Sequence, residues 1–273
     1  MSANTADVVR FRALHARDRV LVLPNVWDAA SAAIARSLGA EAIATTSAGV
    51  SWGGGYPDGN AVPPFVRTAA IAGVKRAAGD LPVSMDFEEG YSADPDEVAE
   101  FVSDLRGIGV AGINLEDGNA DPALLEAKIR AIKSRLQRDA DDIFVNARTD
   151  VYLQGDLEGE EALRETIERI RGYAAAGADG IFVPLVIDPQ AISEIAASVE
   201  RPLNVLAVPG VPPAGELSRL GVRRLSAGGR LFERVYGVYR EAARAFLERG
   251  DGRDLVTASN IGYAEMNRLF AAT

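Results

Sequence analysis

The sequence of 273 residues contains no cysteine and a single histidine, His15. The absence of cysteine excludes disulfides, thiolate metal sites, iron–sulfur clusters and a cysteine nucleophile. One histidine cannot build a multi-histidine zinc site, and a serine–histidine triad would have to use His15 itself. We expect His15 to be a surface residue of the first helix rather than a ligand. The chemistry of the chain must therefore rest on carboxylates, hydroxyls, amides and basic side chains.

Long apolar runs are also missing. No stretch approaches the roughly 20 apolar residues of a membrane span, and the segment Met1–Arg10 has no apolar core of the signal-peptide kind. Acidic residues outnumber basic ones by 39 to 29, which gives a formal charge of −10 and a pI near 4.8. Such a surface repels phosphate backbones and anionic lipids, so neither nucleic acid nor a membrane is expected as a partner. We expect a cytoplasmic protein.

Short β-rich apolar runs alternate with longer amphipathic runs along most of the chain. Each apolar run has the length and continuity of a buried parallel strand. The predicted strands are Val20–Pro24, Ala42–Thr46, Val83–Phe87, Gly112–Leu115, Ile143–Ala147, Gly180–Val183, Leu203–Ala207 and Arg223–Ser226. The predicted helices are Ala29–Leu38, Pro64–Ala78, Asp94–Ile108, Pro122–Gln137, Gly159–Ala176, Pro189–Ser198, Pro213–Leu220 and Gly229–Arg249.

About eight strand-then-helix units predict a single α/β domain, a (β/α)₈ TIM-type barrel, over residues 1–250. Residues 251–273 are predicted to be a linker and an extra helix, Asn260–Phe270, packed on the barrel or on a partner subunit. The alternative is an open doubly wound sheet, but no Gly-x-Gly-x-x-Gly follows the first strand. The run Gly53-Gly54-Gly55 lacks the lysine of a phosphate loop. We interpret it as a flexible lid or a point of close approach to a ligand.

Polar residues recur in phase near the ends of the third, fourth and fifth predicted strands. Because side chains alternate along a strand, the apolar series can face the helices while the polar series faces the barrel mouth. The charged members of that series are Asp86, Glu88, Glu116 and Arg148. An internal salt-bridge network around Arg148 is one interpretation. We favour a cation site, because at least three acids face one arginine and isolated buried charges are costly.

The donors of this predicted site are all oxygen atoms, which favours Mg²⁺, with Mn²⁺ as an alternative. Magnesium usually keeps several waters and takes one or two carboxylates directly. We therefore predict that Asp86 binds the ion directly, while Glu88 and Glu116 reach it through water. Arg148 suits a bidentate pair with the carboxylate of a small anionic substrate.

Six segments between about Phe11 and Leu231 resemble, in order, the isocitrate lyase/phosphoenolpyruvate mutase superfamily. They are Pro24-Asn25-Val26-Trp27-Asp28-Ala29, Thr46-Ser47-Ala48-Gly49-Val50, Gly55-Tyr56-Pro57-Asp58-Gly59, Met85-Asp86-Phe87-Glu88-Glu89-Gly90-Tyr91, Gly112-Ile113-Asn114-Leu115-Glu116-Asp117 and Asn146-Ala147-Arg148-Thr149-Asp150. The resemblance implies a magnesium-dependent barrel enzyme that makes or breaks a bond beside a 2-oxo acid or related carboxylate. It also implies a homodimer or homotetramer that exchanges its last helix between subunits, as Asn260–Phe270 would allow.

The resemblance also implies roles for single residues. Asp86 corresponds to the principal metal-site carboxylate, Glu88 to a position where the family often has a second aspartate, and Glu116 to an acid that supports the metal. The substrate-binding positions implied are Ser47, Ala48 and Gly49 for a carboxylate-holding turn, Arg148 for the substrate arginine, Asn204 for a polar pocket group and Asp58 for an acid near the reacting centre. Trp52 is our candidate for the pocket wall.

One part of the chain departs from the family pattern. The lyase branch has a mobile loop with a catalytic cysteine after the fourth strand, whereas Asp117–Pro122 here runs straight into a helix without cysteine, histidine or lysine. Cleavage of isocitrate or methylisocitrate by that mechanism is therefore not expected. The mutase and phosphonopyruvate hydrolase branch has a gating segment for which Asn119 is a loose counterpart. The chain most resembles short-loop members, some of which are similar to oxaloacetate decarboxylases.

These features predict a magnesium-dependent carbon–carbon lyase acting on a 2-oxo dicarboxylate through a metal-stabilised enolate. Oxaloacetate would lose carbon dioxide, which needs no catalytic acid at the moment of cleavage. Tyr56, Asp58 or a metal-bound water would then protonate the enolate. The alternatives are a carbon–phosphorus mutase or hydrolase, a methylisocitrate lyase-like homologue and an inactive carboxylate-binding barrel. Carbon–phosphorus chemistry needs further cations, for which Lys128 and Arg230 are remote options.

Overall fold

Nine parallel strands form one nearly closed barrel in the computed structural model, which describes residues 3–59 and 61–271. Residues 1, 2, 272 and 273, the outer ends of the predicted segments 1–250 and 251–273, lie outside the described residues. The strands are β1 Leu21–Leu23, β2 Asn25–Val26, β3 Ile43–Thr45, β4 Val83–Asp86, β5 Gly112–Glu116, β6 Phe144–Arg148, β7 Gly180–Val183, β8 Leu203–Leu206 and β9 Val222–Ser226. Their order in the sheet is β1-β9-β8-β7-β6-β5-β4-β3-β2. The predicted barrel is confirmed, and the open doubly wound sheet is wrong.

The first predicted strand, Val20–Pro24, is two shorter strands. β1 pairs with β9, whereas β2 pairs with β3, so these two pieces bring the ends of the sheet together. Pro24 separates them because proline has no N–H to donate to a ladder. Asn25 then bridges the junction: its Oδ1 accepts the N–H groups of Ala227 and Gly228, both at 2.9 Å, and its Nδ2 donates to the Thr45 carbonyl at 2.8 Å.

The predicted helices are present, with ends that shift by at most three residues. The described helices are α1 Ala3–His15, α2 Ala29–Ser37, α3 Ser47–Gly53, α4 Pro64–Ala78, α5 Pro95–Ile108, α6 Pro122–Arg138, α7 Val151–Gln154, α8 Gly159–Ala176, α9 Pro189–Ala197, α10 Ala214–Arg219, α11 Arg230–Arg249 and α12 Tyr263–Ala271. Asp94, Asp121 and Asp188 each cap a helix whose first residue is proline. Over residues 3–59 and 61–271, no helix is both long enough and apolar enough to cross a bilayer.

Helix α3 ends inside the glycine run. The helix extends to Gly53, and the N–H of Gly54 donates to the Val50 carbonyl at 3.0 Å and closes its last turn. Gly53 and Gly54 are thus the end and the cap of a helix, and the interpretation of Gly53-Gly54-Gly55 as a flexible lid or a point of close approach to a ligand stays a prediction. An added Cβ at Gly49, inside α3, would lie 2.9 Å from the Trp27 Cβ, so this position needs glycine because the helix packs closely on the barrel.

An aromatic cluster joins α1 to the inside of the barrel at β6. The His15 ring stacks on Phe144 with centroids 4.4 Å apart and meets the edge of Phe11 at 4.6 Å. Only 4% of His15 is exposed, so its predicted surface position is wrong. Burial, followed by the charge of Arg224, lowers the pKa of His15 to about 3, so the ring stays neutral at physiological pH. His15 thus serves as a packing residue between α1 and β6.

The last two helices pack unequally. In the single chain, α12 lies on α2, where Arg36 Nη2 donates to the Leu269 carbonyl at 2.8 Å. Exchange of this helix between subunits stays a prediction, as do the segment boundaries 1–250 and 251–273. Helix α11 leaves an apolar face uncovered that includes Val235, Tyr239 and Leu247.

We predict that Gly112→Ala destabilises the fold by roughly 1–3 kcal/mol, because a Cβ there would lie 2.7 Å from Phe11 Cε1 and 3.1 Å from the Phe144 carbonyl. Gly107→Ala is the matched control, since its Cβ would meet nothing within 4 Å on the exposed side of α5. Helix propensity makes that change neutral or stabilising by up to about 1 kcal/mol. Urea unfolding measures both, and equal stabilities would contradict the packing described.

Candidate active site

Three charged side chains end three neighbouring strands at the same end of the barrel. Asp86 is the last residue of β4, Glu116 of β5 and Arg148 of β6. Glu116 and Arg148 are partners in the strand register, and Asp86 pairs with Asn114, two residues before Glu116. The structure therefore brings these predicted site residues together at the end where barrel enzymes carry their chemistry.

Arg148 lies between two carboxylates. Its Nη1 is 2.6 Å from Glu116 Oε2, while its Nε and Nη2 donate to the two oxygens of Asp150 at 2.6 and 3.0 Å. The predicted salt-bridge network around Arg148 is thus present in the structure. Asp150, to which the sequence analysis assigned no role, is one of the two carboxylates of this network.

Asp86 is oriented by groups from three elements. Its Oδ2 accepts the backbone N–H of Ser47, the first residue of α3, at 3.0 Å. Its Oδ1 faces the Asn114 Nδ2 at 3.5 Å, and its own N–H donates to Thr45 Oγ1 at 2.9 Å. The Ser47 side chain also hydrogen-bonds Asp58, which places Asp58 beside Asp86. The positions predicted for Ser47, Asp58 and Asp86 therefore meet in one place.

Glu88 lies beyond the end of β4 in a strained turn. Its φ is +49° and that of Tyr91 is +62°, a region that non-glycine residues rarely adopt. The Tyr91 hydroxyl donates to Glu88 Oε1 at 2.9 Å, and the Arg67 guanidinium lies 3.5 Å from the centre of the Tyr91 ring. Asp86, Glu88, Arg67 and Tyr91 line a cavity of about 10 Å³, the space of a single water.

Amides and an arginine fill the barrel below Asp86. Asn114 Oδ1 accepts from Asn146 Nδ2 at 2.9 Å and from Arg224 Nη2 at 3.3 Å. Since both donors use the carbonyl oxygen, the amide nitrogen of Asn114 faces Asp86. Asn204, predicted to be a pocket residue, is buried in this interior, where its Oδ1 accepts from the Ser226 hydroxyl at 3.2 Å.

Several predicted residues lie apart from Asp86. Tyr56 donates its backbone N–H to the Ser51 carbonyl at 2.9 Å, and no contact within the described residues joins its hydroxyl to Asp58 or Asp86. Trp52 is 43% exposed and packs against Phe232, with centroids 5.3 Å apart. Lys128 is buried and donates to the Glu89 carbonyl at 2.7 Å. Arg230 is exposed, and its Nη1 lies 2.9 Å from Glu233 Oε2.

Sequence reasoning missed two arginines of this region. Arg67 lies in the first turn of α4, where nothing in a helical pattern distinguishes it from a solvated residue. Arg224 carried a usable signal, because it alternates in phase with Val222 and Ser226, which are both buried along β9. Arg224 is fully buried, and among the described residues its Nε and Nη1 have no hydrogen-bond partner.

Negative charge is in surplus around Arg148. The carboxylates grouped there are Asp58, Asp86, Glu88, Glu116 and Asp150. Burial first, and then the charge of Asp86, raises the pKa of Asp58 above its ordinary value. Burial, opposed by Arg148 and reinforced by Asp86, raises the pKa of Glu116 to about 8 and also raises that of Asp150. These groups therefore gain from a proton or from a bound cation.

The donor set fits a hard divalent cation. All candidate ligands are oxygen atoms, as Mg²⁺ and Mn²⁺ prefer. Within the part of the chain that the structure describes, no three acids are arranged to coordinate one ion. Magnesium keeps several of its waters, so one direct carboxylate with water-linked neighbours is sufficient. Direct binding of an ion by Asp86, with Glu88 and Glu116 linked to it through water, stays a prediction.

The fold and site together define a (β/α)₈ barrel with an acid-rich centre at the carboxyl ends of its strands. Residues 11–247 match the family model described as phosphoenolpyruvate phosphomutase. The chain belongs to this family, within the phosphoenolpyruvate mutase/isocitrate lyase superfamily, as the sequence motifs predicted.

Two relatives show how far similarity extends. An uncharacterized protein of Mycobacterium tuberculosis is 41% identical over 264 residues, which cover 94% of each chain. Oxaloacetate decarboxylase of Ectopseudomonas mendocina is 33% identical over 228 residues, covering 78% of this chain and 75% of that one.

Two solved structures from Burkholderia cenocepacia have the same fold. One, provisionally named a phosphonomutase, has a TM-score of 0.83 and 36% identity, and the match covers 87% of this chain and 99% of that one. The other, provisionally named a lyase/mutase, has a TM-score of 0.88 and 31% identity, and the match covers 99% of this chain and 98% of that one. The chain is therefore an enzyme of this lyase and mutase superfamily.

We predict that Glu116→Gln gains stability relative to wild type as pH rises from 5 to 8. The pKa of an unfolded glutamate is about 4.5, whereas burial raises the pKa of folded Glu116 to about 8. The folded wild type binds more protons in this window, so its stability falls as pH rises, by about 1 kcal/mol or more. Glutamine does not titrate. Urea unfolding of the chelator-treated protein at both pH values measures the difference.

Glu41→Gln is the control for this experiment. A hydrogen bond from Arg17 lowers the pKa of Glu41, so this carboxyl is already ionised throughout the window and its replacement has a constant effect. If the free energies of unfolding of Glu116→Gln and wild type differ by the same amount at pH 5 and at pH 8, the charge surplus described above is contradicted.

Proposed function

We propose that this protein is a magnesium-dependent lyase that cleaves a carbon–carbon bond of a small 2-oxo dicarboxylate, with oxaloacetate as the leading candidate. The observation that carries the proposal is the surplus of carboxylates around Asp86 and Arg148, which suits one divalent ion and one anionic substrate. The similarity to oxaloacetate decarboxylase of E. mendocina supports the substrate class.

The chain offers two groups of donors for a substrate carboxylate. Two of the five N–H groups of Arg148 donate to Asp150, and its Nη1 lies 2.6 Å from Glu116 Oε2, so each terminal nitrogen keeps at least one N–H for a substrate. The N–H groups of Ala48 and Gly49, in the first turn of α3, have no partner within the helix. These donors would hold and orient the carboxylate, while Asn204 and Trp52 stay candidates for the pocket.

Asp58 is the best-supported proton donor among the candidates. Its pKa is raised, so it keeps a proton at higher pH than an ordinary aspartate, and it lies beside Ser47 and Asp86. Tyr56 is less well placed, because its hydroxyl makes no described contact with this group. When bound, Mg²⁺ would supply Lewis-acid stabilisation of negative charge developing on the keto group.

The short connection between β5 and α6 supports loss of carbon dioxide over cleavage that needs an acid. Asp117 is buried at its start and α6 begins at Pro122, so the connection has neither the length nor the residues of a catalytic loop. Carbon dioxide leaves without being protonated. The proton is needed only afterwards, which matches a single acid such as Asp58.

A carbon–phosphorus mutase or hydrolase is the second candidate. The similarity to the provisionally named phosphonomutase favours it, and so does Arg67, which supplies a cation beside Asp86 and Glu88. Lys128 and Arg230, the cations considered from the sequence, face other partners. A barrel that binds carboxylates without turnover is a third outcome of the same assays.

We predict that Asp86→Asn lowers turnover of oxaloacetate by roughly 100-fold or more while the protein stays folded. The physical reason is the loss of the direct ligand charge. Steady-state assays with Mg²⁺ and then with chelator measure the effect, and Asp104→Asn on the exposed side of α5 is the control. Parallel assays with phosphonopyruvate distinguish the two chemistries.

Three results would count against this proposal. Turnover of phosphonopyruvate but not of oxaloacetate would favour the second candidate, and no turnover of either would favour a binding protein. Unfolding of Asp86→Asn would support a purely structural salt-bridge network.

We also propose that the protein forms a homo-oligomer through α11. Val22 lies on β1, where a barrel strand is normally covered by a helix, yet it is 58% exposed. It borders an apolar groove of about 1120 Å³ between α2 and α11, whose walls include Ile34, Leu38, Val235 and Tyr239. A second copy of this chain, presenting its own α11, would cover both the groove and the exposed face. This contact would form the predicted homodimer or homotetramer, and exchange of the last helix, α12, stays a separate prediction.

We expect Tyr239→Glu to dissociate this oligomer, because it places a charge in the apolar face of α11. Arg240→Ala, one residue further along, is the control and should leave assembly unchanged. Sedimentation velocity measures both. A monomeric wild-type protein would contradict the assembly.

A further inference from the structure

Arg148 is oriented chiefly by Asp150. The Nε and Nη2 of Arg148 meet the two oxygens of Asp150, and such a two-point contact defines the plane of the guanidinium as well as its position. Glu116 contacts Nη1 alone, so it restrains the plane less. The direction of the two remaining N–H groups therefore depends on where Asp150 lies.

Asp150 is in turn placed by Asp117, at the start of the connection after β5. The backbone N–H of Asp150 donates to Asp117 Oδ1 at 2.9 Å. The backbone N–H of Asp117 donates to the Arg148 carbonyl at 3.1 Å, which extends the ladder between β5 and β6. Asp117 is only 1% exposed, so these bonds are shielded from water.

Helix α8 supplies the outer end of this arrangement. Asp117 Oδ2 accepts the Tyr173 hydroxyl at 2.6 Å and lies 3.1 Å from Arg169 Nη1. Arg169 also pairs with Glu165 at 2.7 Å. A continuous hydrogen-bonded path thus runs from α8, outside the barrel, through Asp117 and Asp150 to Arg148.

We propose that Asp150 and Asp117 are positioning residues for substrate binding, with Tyr173 as their outer anchor. They act through Arg148, keeping one N–H of each terminal nitrogen directed at a bound carboxylate. This inference rests on the proposed function for the substrate but not for the geometry of Arg148. It assigns a role to two aspartates for which the sequence analysis predicted none.

Asp150→Asn and Tyr173→Phe test the proposal at its inner and outer ends. We expect KM for oxaloacetate and Kd for oxalate to rise about 10-fold in Asp150→Asn and less in Tyr173→Phe, with kcat changed less than about 3-fold. A carboxylate remote from the breaking bond is bound equally in the ground and transition states, so its loss raises KM. Crystal structures of both variants should show the Arg148 guanidinium rotated.

Tyr152→Phe on α7 is the matched control, because this side chain lines a cavity beside α8 and α9 that does not include Arg148. It should leave KM and Arg148 unchanged. Lower thermal stability with unchanged KM and an unmoved guanidinium would overturn the proposal and leave the aspartates a structural role. If wild type neither turns over oxaloacetate nor binds oxalate, the proposed function fails, and the crystal structures still decide whether Asp150 orients Arg148.

Discussion

The crowding of carboxylates at the ends of three parallel strands is the constraint on which the rest of this structure depends. Parallel strands in a closed sheet end at the same rim, so acids placed last on β4 and β5 necessarily approach each other and Arg148. One guanidinium pairs with Glu116 and Asp150 and leaves Asp86 facing the Asn114 amide and the backbone N–H of Ser47. Charge in such a place is costly to bury without compensation. A bound cation would therefore stabilise a site of this kind.

The residues around the site confine the charged groups to one end of the barrel. His15 and its aromatic neighbours fill one region of the barrel interior, and Asn25 ties the first strands to the turn before α11. Asn114 and Asn146 separate the acids from this apolar region with hydrogen bonds that use their polar atoms. The polar groups of the site are thus held by neighbouring residues.

Local patterns in the sequence predict the elements well and their connections less well. The bounds of Pro64–Ala78 and Gly159–Ala176 agree with α4 and α8 because apolar periodicity and capping residues are local signals. The division at Pro24 depends on which strands β1 and β2 meet, and the burial of His15 depends on Phe144, 129 positions away. Such long-range contacts leave no mark in a single sequence.

The same distinction holds for the site. Strand alternation and fold class place Asp86, Glu116 and Arg148 at one rim, so these residues could be predicted from the sequence. The contacts of Arg67 and the hydrogen bond between Asp117 and Tyr173 could not be predicted, because they join helices to loops that are distant in the sequence. The amphipathic α11 was predicted as a helix, but its uncovered face appears only when the barrel beside it is complete.

Diffraction from crystals soaked with Mn²⁺ and oxalate, recorded at the manganese edge, tests the central claim most directly. The account predicts one anomalous peak about 2.2 Å from an Asp86 carboxylate oxygen, with oxalate bound to the ion and to Arg148. The absence of a peak, with Asp86 still bonded to Ser47 and Arg148 fully taken up by its two carboxylates, would contradict it.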